Sequence, residues 1–237
     1  MTLCKNKFQN ITEIENAKIV ERFYSKKNEV YKLPYFQEEL HQSKYVVVKK
    51  YLLSKEKMKK EIDLLLLLKQ EGLSVPEIYQ QKSNYIIMEY IQGKTLLETI
   101  EERERNSALE KGKVYESNRA LIESLIEWME KFYAIAKFIN KSETILGDVN
   151  LRNFIVGEDE KVYGIDFEDC REGEIQEDIT RLCAYVLTYS PSFTPWKIQF
   201  SAELLYLFIK RFAMDEEMLI KKVEGEINAI NIKRGKL

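Results

Sequence analysis

Residues 145–169 read ILGDVNLRNFIVGEDEKVYGIDFED. Two short apolar runs, NFIV and VYGID, flank the polar, Gly-led stretch GEDEK, which is the pattern of a β-hairpin. Asp148, Asn153 and Asp166 sit at the edges of these runs, where a carboxylate is costly to bury. Asp and Asn are common turn formers, and that is the simplest account of all three. A symmetric hairpin gives them a second account. It sets Ile155 opposite Gly164, Phe154 opposite Ile165 and Asn153 opposite Asp166, with Cβ atoms roughly 5 Å apart. An amide oxygen and a carboxylate that close suit Mg²⁺, a cation that prefers oxygen. Asp148, upstream in the loop, can approach the same spot without joining the metal shell. One carboxylate for a metal and another for a proton is the division of labour that phosphoryl transfer requires.

The rest of the composition narrows the chemistry. The chain has 237 residues, enough for one large domain or two lobes. Hydrophobic content of 45% with 32% charge is that of a globular protein, and a net charge of −2 supplies no basic field for nucleic acid. The N-terminal MTLCKNKFQNI has no signal-peptide core, and no apolar run approaches a membrane span. Cys4, Cys170 and Cys183 show no paired spacing, which argues for a reducing cytoplasm and against a disulfide framework or zinc site. His41, the single histidine, lies in the polar stretch EELHQSK and reads as a solvated loop residue. Chemistry here therefore falls to carboxylates, lysine and a hard cation.

The first ninety residues read as strand-rich with one helix. Strands are expected over 18–24, 29–33 and YVVVKKYLL, with SKKN as a turn and 34–44 as a polar loop. Ser54 can cap a helix running to about Gln70, with Gly72 just beyond it. VPEIYQ and NYIIMEYI add two strands before Gln92-Gly93 breaks the pattern. The remainder is mainly helical. Helical periodicity covers 96–105 and 116–140, the latter with Leu121, Leu125, Trp128, Phe132 and Ile135 on one stripe. EERERNSALEKGK reads as a solvated helix end and loop, and two or more helices follow Asp178.

GDVNLRN, with the Asp166 of IDFED thirteen residues after Asn153, resembles the catalytic core of the protein-kinase-like superfamily. The pattern is similar to that of its small-molecule branch, the aminoglycoside phosphotransferase and choline kinase family. The resemblance implies an α+β, two-lobed fold: an antiparallel-sheet N-lobe with one long helix over 1–91, and a mainly helical C-lobe over 92–237. It implies ATP (or GTP) and Mg²⁺ as cofactors, with Asp148 as the catalytic aspartate and Asn153 and Asp166 as metal ligands. VVVKK resembles the strand carrying the nucleotide lysine, and strand alternation puts Val47 and Lys49 on the nucleotide face with Lys50 outward. Glu61, beside the helical stripe of Met58, Ile62, Leu65 and Leu66, is then the partner of Lys49. Met88 guards the adenine pocket, and the backbones of Glu89 and Ile91 meet the adenine edge. Ile155 and Ile165 are grouped with these nucleotide residues.

The chain also departs from the pattern. No glycine precedes Gly72, so Ser25, Lys26, Lys27 and Asn28 stand where a glycine-rich phosphate loop is usual. Ser25 and Asn28 can meet phosphate through a hydroxyl and backbone N–H groups. Leu146 replaces the customary histidine, and Arg152 either meets the transferred phosphate or is a surface arginine. Asp178 arrives only twelve residues after Asp166, too soon for a peptide-binding segment, and resembles a structural brace for the catalytic loop. The leading expectation is a kinase acting on a hydroxyl of a small molecule, such as a sugar or amino alcohol. Its rivals are a compact protein or surface-saccharide kinase, and a pseudokinase that binds nucleotide or a partner without transfer.

Overall fold

The computed structural model describes residues 19–37, 42–109 and 118–235. His41 and Cys4, and the end of the charged stretch near residue 113, lie outside them. The chain divides into two compact units, one ending at Gln92 and the other beginning at Gly93. The architecture is α+β: an antiparallel sheet with a helix in the first unit, mainly helices in the second.

In the first unit the strands are β1 (Glu21–Phe23), β2 (Asn28–Gln37), β3 (Gln42–Tyr51), β4 (Ile78–Gln81) and β5 (Tyr85–Glu89). They form one five-stranded antiparallel sheet in the order β1-β2-β3-β5-β4. Within the polar loop expected over 34–44, residues 34–37 and 42–44 instead belong to the β2–β3 ladder, which pairs out to Gln37 and Gln42; residues 38–41 lie outside the described residues. Pro34 is tolerated there because, among the described residues, β1 pairs with β2 only from Val30 to Lys32 and no strand pairs with the other side of Pro34. Helix α1 (Lys55–Gln70) starts where the Ser54 hydroxyl accepts from the Lys57 amide at 3.2 Å. Along β3, Val46 and Val48 pack with Leu33 and Ile87, and the alternate residues Val47, Lys49 and Tyr51 take the opposite face.

The second unit opens with β6 (Gly93–Thr95), α2 (Leu96–Leu109) and α3 (Arg119–Asn140). Next come β7 (Thr144–Ile145), β8 (Phe154–Gly157), β9 (Val162–Gly164) and β10 (Arg171–Glu172). Three helices follow: α4 (Ile175–Thr188), α5 (Pro195–Phe212) and α6 (Glu216–Lys233). The expected stripe of α3 is buried at Leu121, Leu125, Trp128 and Phe132. Its aromatic part grips the hairpin from one side: Trp128 meets Phe154 edge-on at 5.5 Å, and Phe132 stacks on Phe167 at 6.0 Å. Gly164 makes room for this, since a Cβ there would lie 2.2 Å from the Trp128 ring. Gly164→Ala is therefore expected to destabilise the protein by about 1–3 kcal/mol, measurable by urea unfolding.

The hairpin itself corrects the expected register. Phe154 pairs with Gly164, Ile155 with Tyr163 and Val156 with Val162, one residue away from the symmetric reading. The loop holds three residues rather than four: Gly157 and Lys161 close it, and Glu160 turns the chain with φ of 63°. Asn153 consequently lies across from Ile165, whose amide donates to the Asn153 carbonyl at 2.9 Å, and not across from Asp166.

Candidate active site

Each unit carries its own share of the expected residues. In the first, Lys49 and Glu61 form a buried ion pair of 2.7 Å, and the Tyr51 hydroxyl donates to the same carboxylate at 2.7 Å. Three groups that each cost energy to bury satisfy one another there. Lys50 points the other way and pairs with Glu29 at the surface. Met88 lies directly across from Val47 and Ile86 across from Lys49, so these side chains share one face of the sheet. The Glu89 amide is taken by the Glu77 carbonyl at 2.8 Å, so at this residue only the carbonyl could face a base. Ile91 is buried. Ser25 accepts from the Asn28 amide at 3.1 Å, closing a turn that leaves Lys26 and Lys27 exposed at its tip.

In the second unit, β7 and β10 pair antiparallel and bring the two halves of the motif side by side. Gly147 (φ 75°) lies so close to Asp169 that a Cβ would sit 2.5 Å from its carbonyl oxygen. Both demands select glycine just before Asp148. Downstream, the Asn153 side-chain amide donates to the Asp148 carbonyl at 3.0 Å, cross-bracing the loop. Asn153, Ile155 and Ile165 share one face of the hairpin, opposite the face held by Trp128. Asp166 then leaves the strand with φ of 65°, a left-handed conformation uncommon outside glycine. That turn separates Asp166, partly exposed, from Phe167, fully buried in the aromatic cluster. Arg152 is exposed, and its guanidinium donates to the Tyr189 hydroxyl at 3.0 Å.

The Asp148 loop is held from α4. Asp178, fully buried, accepts from the Leu146 and Gly147 amides at 2.7 and 3.0 Å and from the Tyr133 hydroxyl at 3.1 Å. Three residues on, at helical spacing, Arg181 donates to the Gly147 carbonyl at 2.8 Å and forks onto Glu226 at 3.0 and 3.1 Å. Burial pushes the Asp178 carboxyl up to about 6, against the donors that hold it down. A folded-state value above the unfolded one means that stability is fully present below about pH 4 and lost as pH rises through about 6. Urea unfolding of the wild type and Asp178→Asn across that window is expected to show the wild type losing about 3 kcal/mol relative to the variant.

Glu168 was not among the residues singled out from the sequence, although the second acid of IDFED pointed to it. It is buried, and its carboxylate and that of Asp166 bring oxygens within 4.8 Å of one another. The Asn153 amide nitrogen is engaged by the Asp148 carbonyl, so its oxygen is the end that remains for a ligand. Asp166 and Glu168 thus pair two carboxylates of the kind a hard divalent cation takes. Sequence reasoning also missed the part played by Asn150, inside GDVNLRN, and by Tyr189 and Arg234, which carry no motif; the three meet only in the folded chain.

An antiparallel sheet with one helix, a mainly helical second unit and a braced GD loop beside an IDFED turn define a kinase-like protein. A family model described as the RIO domain matches residues 8–185, and the chain belongs to that family. This places it in the protein-kinase-like superfamily at large rather than specifically in the aminoglycoside phosphotransferase and choline kinase branch. No curated protein matches the chain. Among the described residues no helix is long and apolar enough to cross a membrane.

Proposed function

We propose that this protein transfers the γ-phosphate of ATP (or GTP) to a hydroxyl of a small molecule, with Mg²⁺. The observation that carries the reading is the fixed loop around Asp148, held by Asp178 and Arg181 upstream and by Asn153 downstream. A loop with so many backbone anchors keeps one carboxylate in one place, which a positioned general base requires. Asp148 accepts the proton of the acceptor hydroxyl as the acceptor oxygen bonds to the γ-phosphorus and the bond to the ADP oxygen breaks. Asn153, Asp166 and Glu168 would hold Mg²⁺, which neutralises charge on the phosphates when bound. Lys49, oriented by Glu61, would contact the nucleotide phosphates, and Ser25 and Asn28 would cover them in place of a glycine-rich loop. Val47, Met88, Ile155 and Ile165 would supply apolar contact to the base, and the Glu89 carbonyl and the Ile91 backbone would hydrogen-bond its edge.

A small acceptor is favoured because α4 begins at Ile175, soon after Asp166, leaving little chain to seat a peptide. That likeness to the small-molecule branch is the finer part of the proposal. The absence of paired cysteine spacing supports a cytoplasmic setting. The test is ATP consumption against a panel of sugars, amino alcohols and other small alcohols, with radiolabelled ATP followed in parallel into protein. Label entering a small molecule is the expected result. Label entering only protein would move the reading to a protein kinase, and neither outcome, with nucleotide still bound, to a pseudokinase.

A further inference from the structure

We propose that Arg152 and Arg234, gathered on Tyr189, form an anion subsite for the acceptor, one that takes a phosphomonoester group on the molecule whose hydroxyl meets Asp148. This rests on the phosphotransfer reading above. Arg152 lies on the loop that carries Asp148, and Arg234 follows the last turn of α6, beyond the segment that matches the family. Their guanidinium carbons lie 5.2 and 5.5 Å from the centre of the same Tyr189 ring. The ring is fixed: its hydroxyl donates to Asn150 at 2.7 Å, and its backbone carbonyl accepts from the fully buried Lys197 at 3.2 Å.

Stacking on tyrosine holds one exposed cation only weakly, and a second cation on the same ring adds repulsion. Among the described residues neither guanidinium meets a carboxylate. Among the described residues each makes a single side-chain hydrogen bond, Arg152 to Tyr189 and Arg234 to the Thr188 carbonyl at 2.6 Å. Within that set most of the donors on each fork are left over, in the geometry that suits phosphate oxygens. Burial raises the Tyr189 hydroxyl pKa, both arginines pull it down and Asp148 pushes it up, so all three charges act on one hydroxyl. A dianion held by the two cations would lie near the carboxylate that accepts the proton.

The experiment follows the arginine Nε–H resonances of the full chain by NMR during titration with inorganic phosphate, and separately with acetate, without nucleotide. Saturable shifts of Arg152 and Arg234 with phosphate, much weaker with acetate, are expected. Arg152→Gln and Arg234→Gln should each weaken phosphate binding by roughly tenfold or more, while Asp148→Asn should not. No saturable shift, equal response to acetate, or wild-type binding by both Gln variants would overturn the assignment. With an acceptor found by the panel above, the same variants should raise KM for that acceptor and leave KM for ATP unchanged; the reverse pattern would put the arginines on the nucleotide. The titration needs no turnover, so it stands or falls separately from the phosphotransfer reading.

Discussion

Asp148→Asn is expected to lower phosphotransfer by roughly 10²–10⁴-fold while leaving Mg·ATP affinity nearly intact. In the proposed reaction the carboxylate accepts a proton only as the acceptor oxygen attacks, so its contribution would belong to the transition state. Asn keeps the shape, and the backbone bonds to Leu146 and Gly147 that hold the loop do not involve the Asp148 side chain. Asp166→Asn should behave differently. It removes a charge from the oxygen set shared with Glu168, so metal-dependent nucleotide binding should fall together with turnover. Calorimetry with Mg·ATP beside turnover on the two variants separates the roles. Loss of nucleotide binding in Asp148→Asn with retention in Asp166→Asn would reverse them. If both are tolerated, the two aspartates are only turn formers.

Lys49→Met is expected to cost about 3–5 kcal/mol of stability, apart from any loss of nucleotide binding. The reason is Glu61, whose side chain is 1% exposed and would lose the ammonium 2.7 Å away. Tyr51 still donates to that carboxylate, but one neutral donor does not replace a cation. Changing both members, Lys49→Met with Glu61→Leu, should recover much of the loss because no buried charge is then stranded. Lys50→Met should cost at most about 1 kcal/mol, since its pairing with Glu29 is at the surface. Denaturant unfolding of the four proteins, with ATP binding measured on each, checks both claims. A larger effect on ATP binding from Lys50 than from Lys49 would overturn the assignment of strand faces.

These expectations rest on features of unequal legibility. The five strands and α1 could be read because alternation in β3 and the Ser54 cap are local signals. Strands β6, β7 and β10 could not, since two or three residues are too few to show a period. The hairpin was evident but not its register. A turn at Glu160 with φ of 63° carries no glycine or asparagine to mark it, and one residue in the loop moves every pair. In the candidate site, Asp148, Asn153 and Asp166 lie close in sequence and could be found together. The partners of Arg152 are far along the chain: Tyr189 ends α4 and Arg234 ends α6, and neither position carries a pattern that sequence spacing reveals.

The contact between Arg181 and Glu226 bears on where a working unit of this chain can be cut. The family match ends at residue 185, inside α4. Glu226 belongs to α6, which packs along α4 and orients the guanidinium that grasps the Gly147 carbonyl. A fragment trimmed to the matched length would keep every residue of the GD and IDFED motifs yet lose the counter-charge that steadies Arg181. Its motif would be whole and its mounting incomplete, so a fragment that keeps the bracing of the Gly147 carbonyl has to extend through α6.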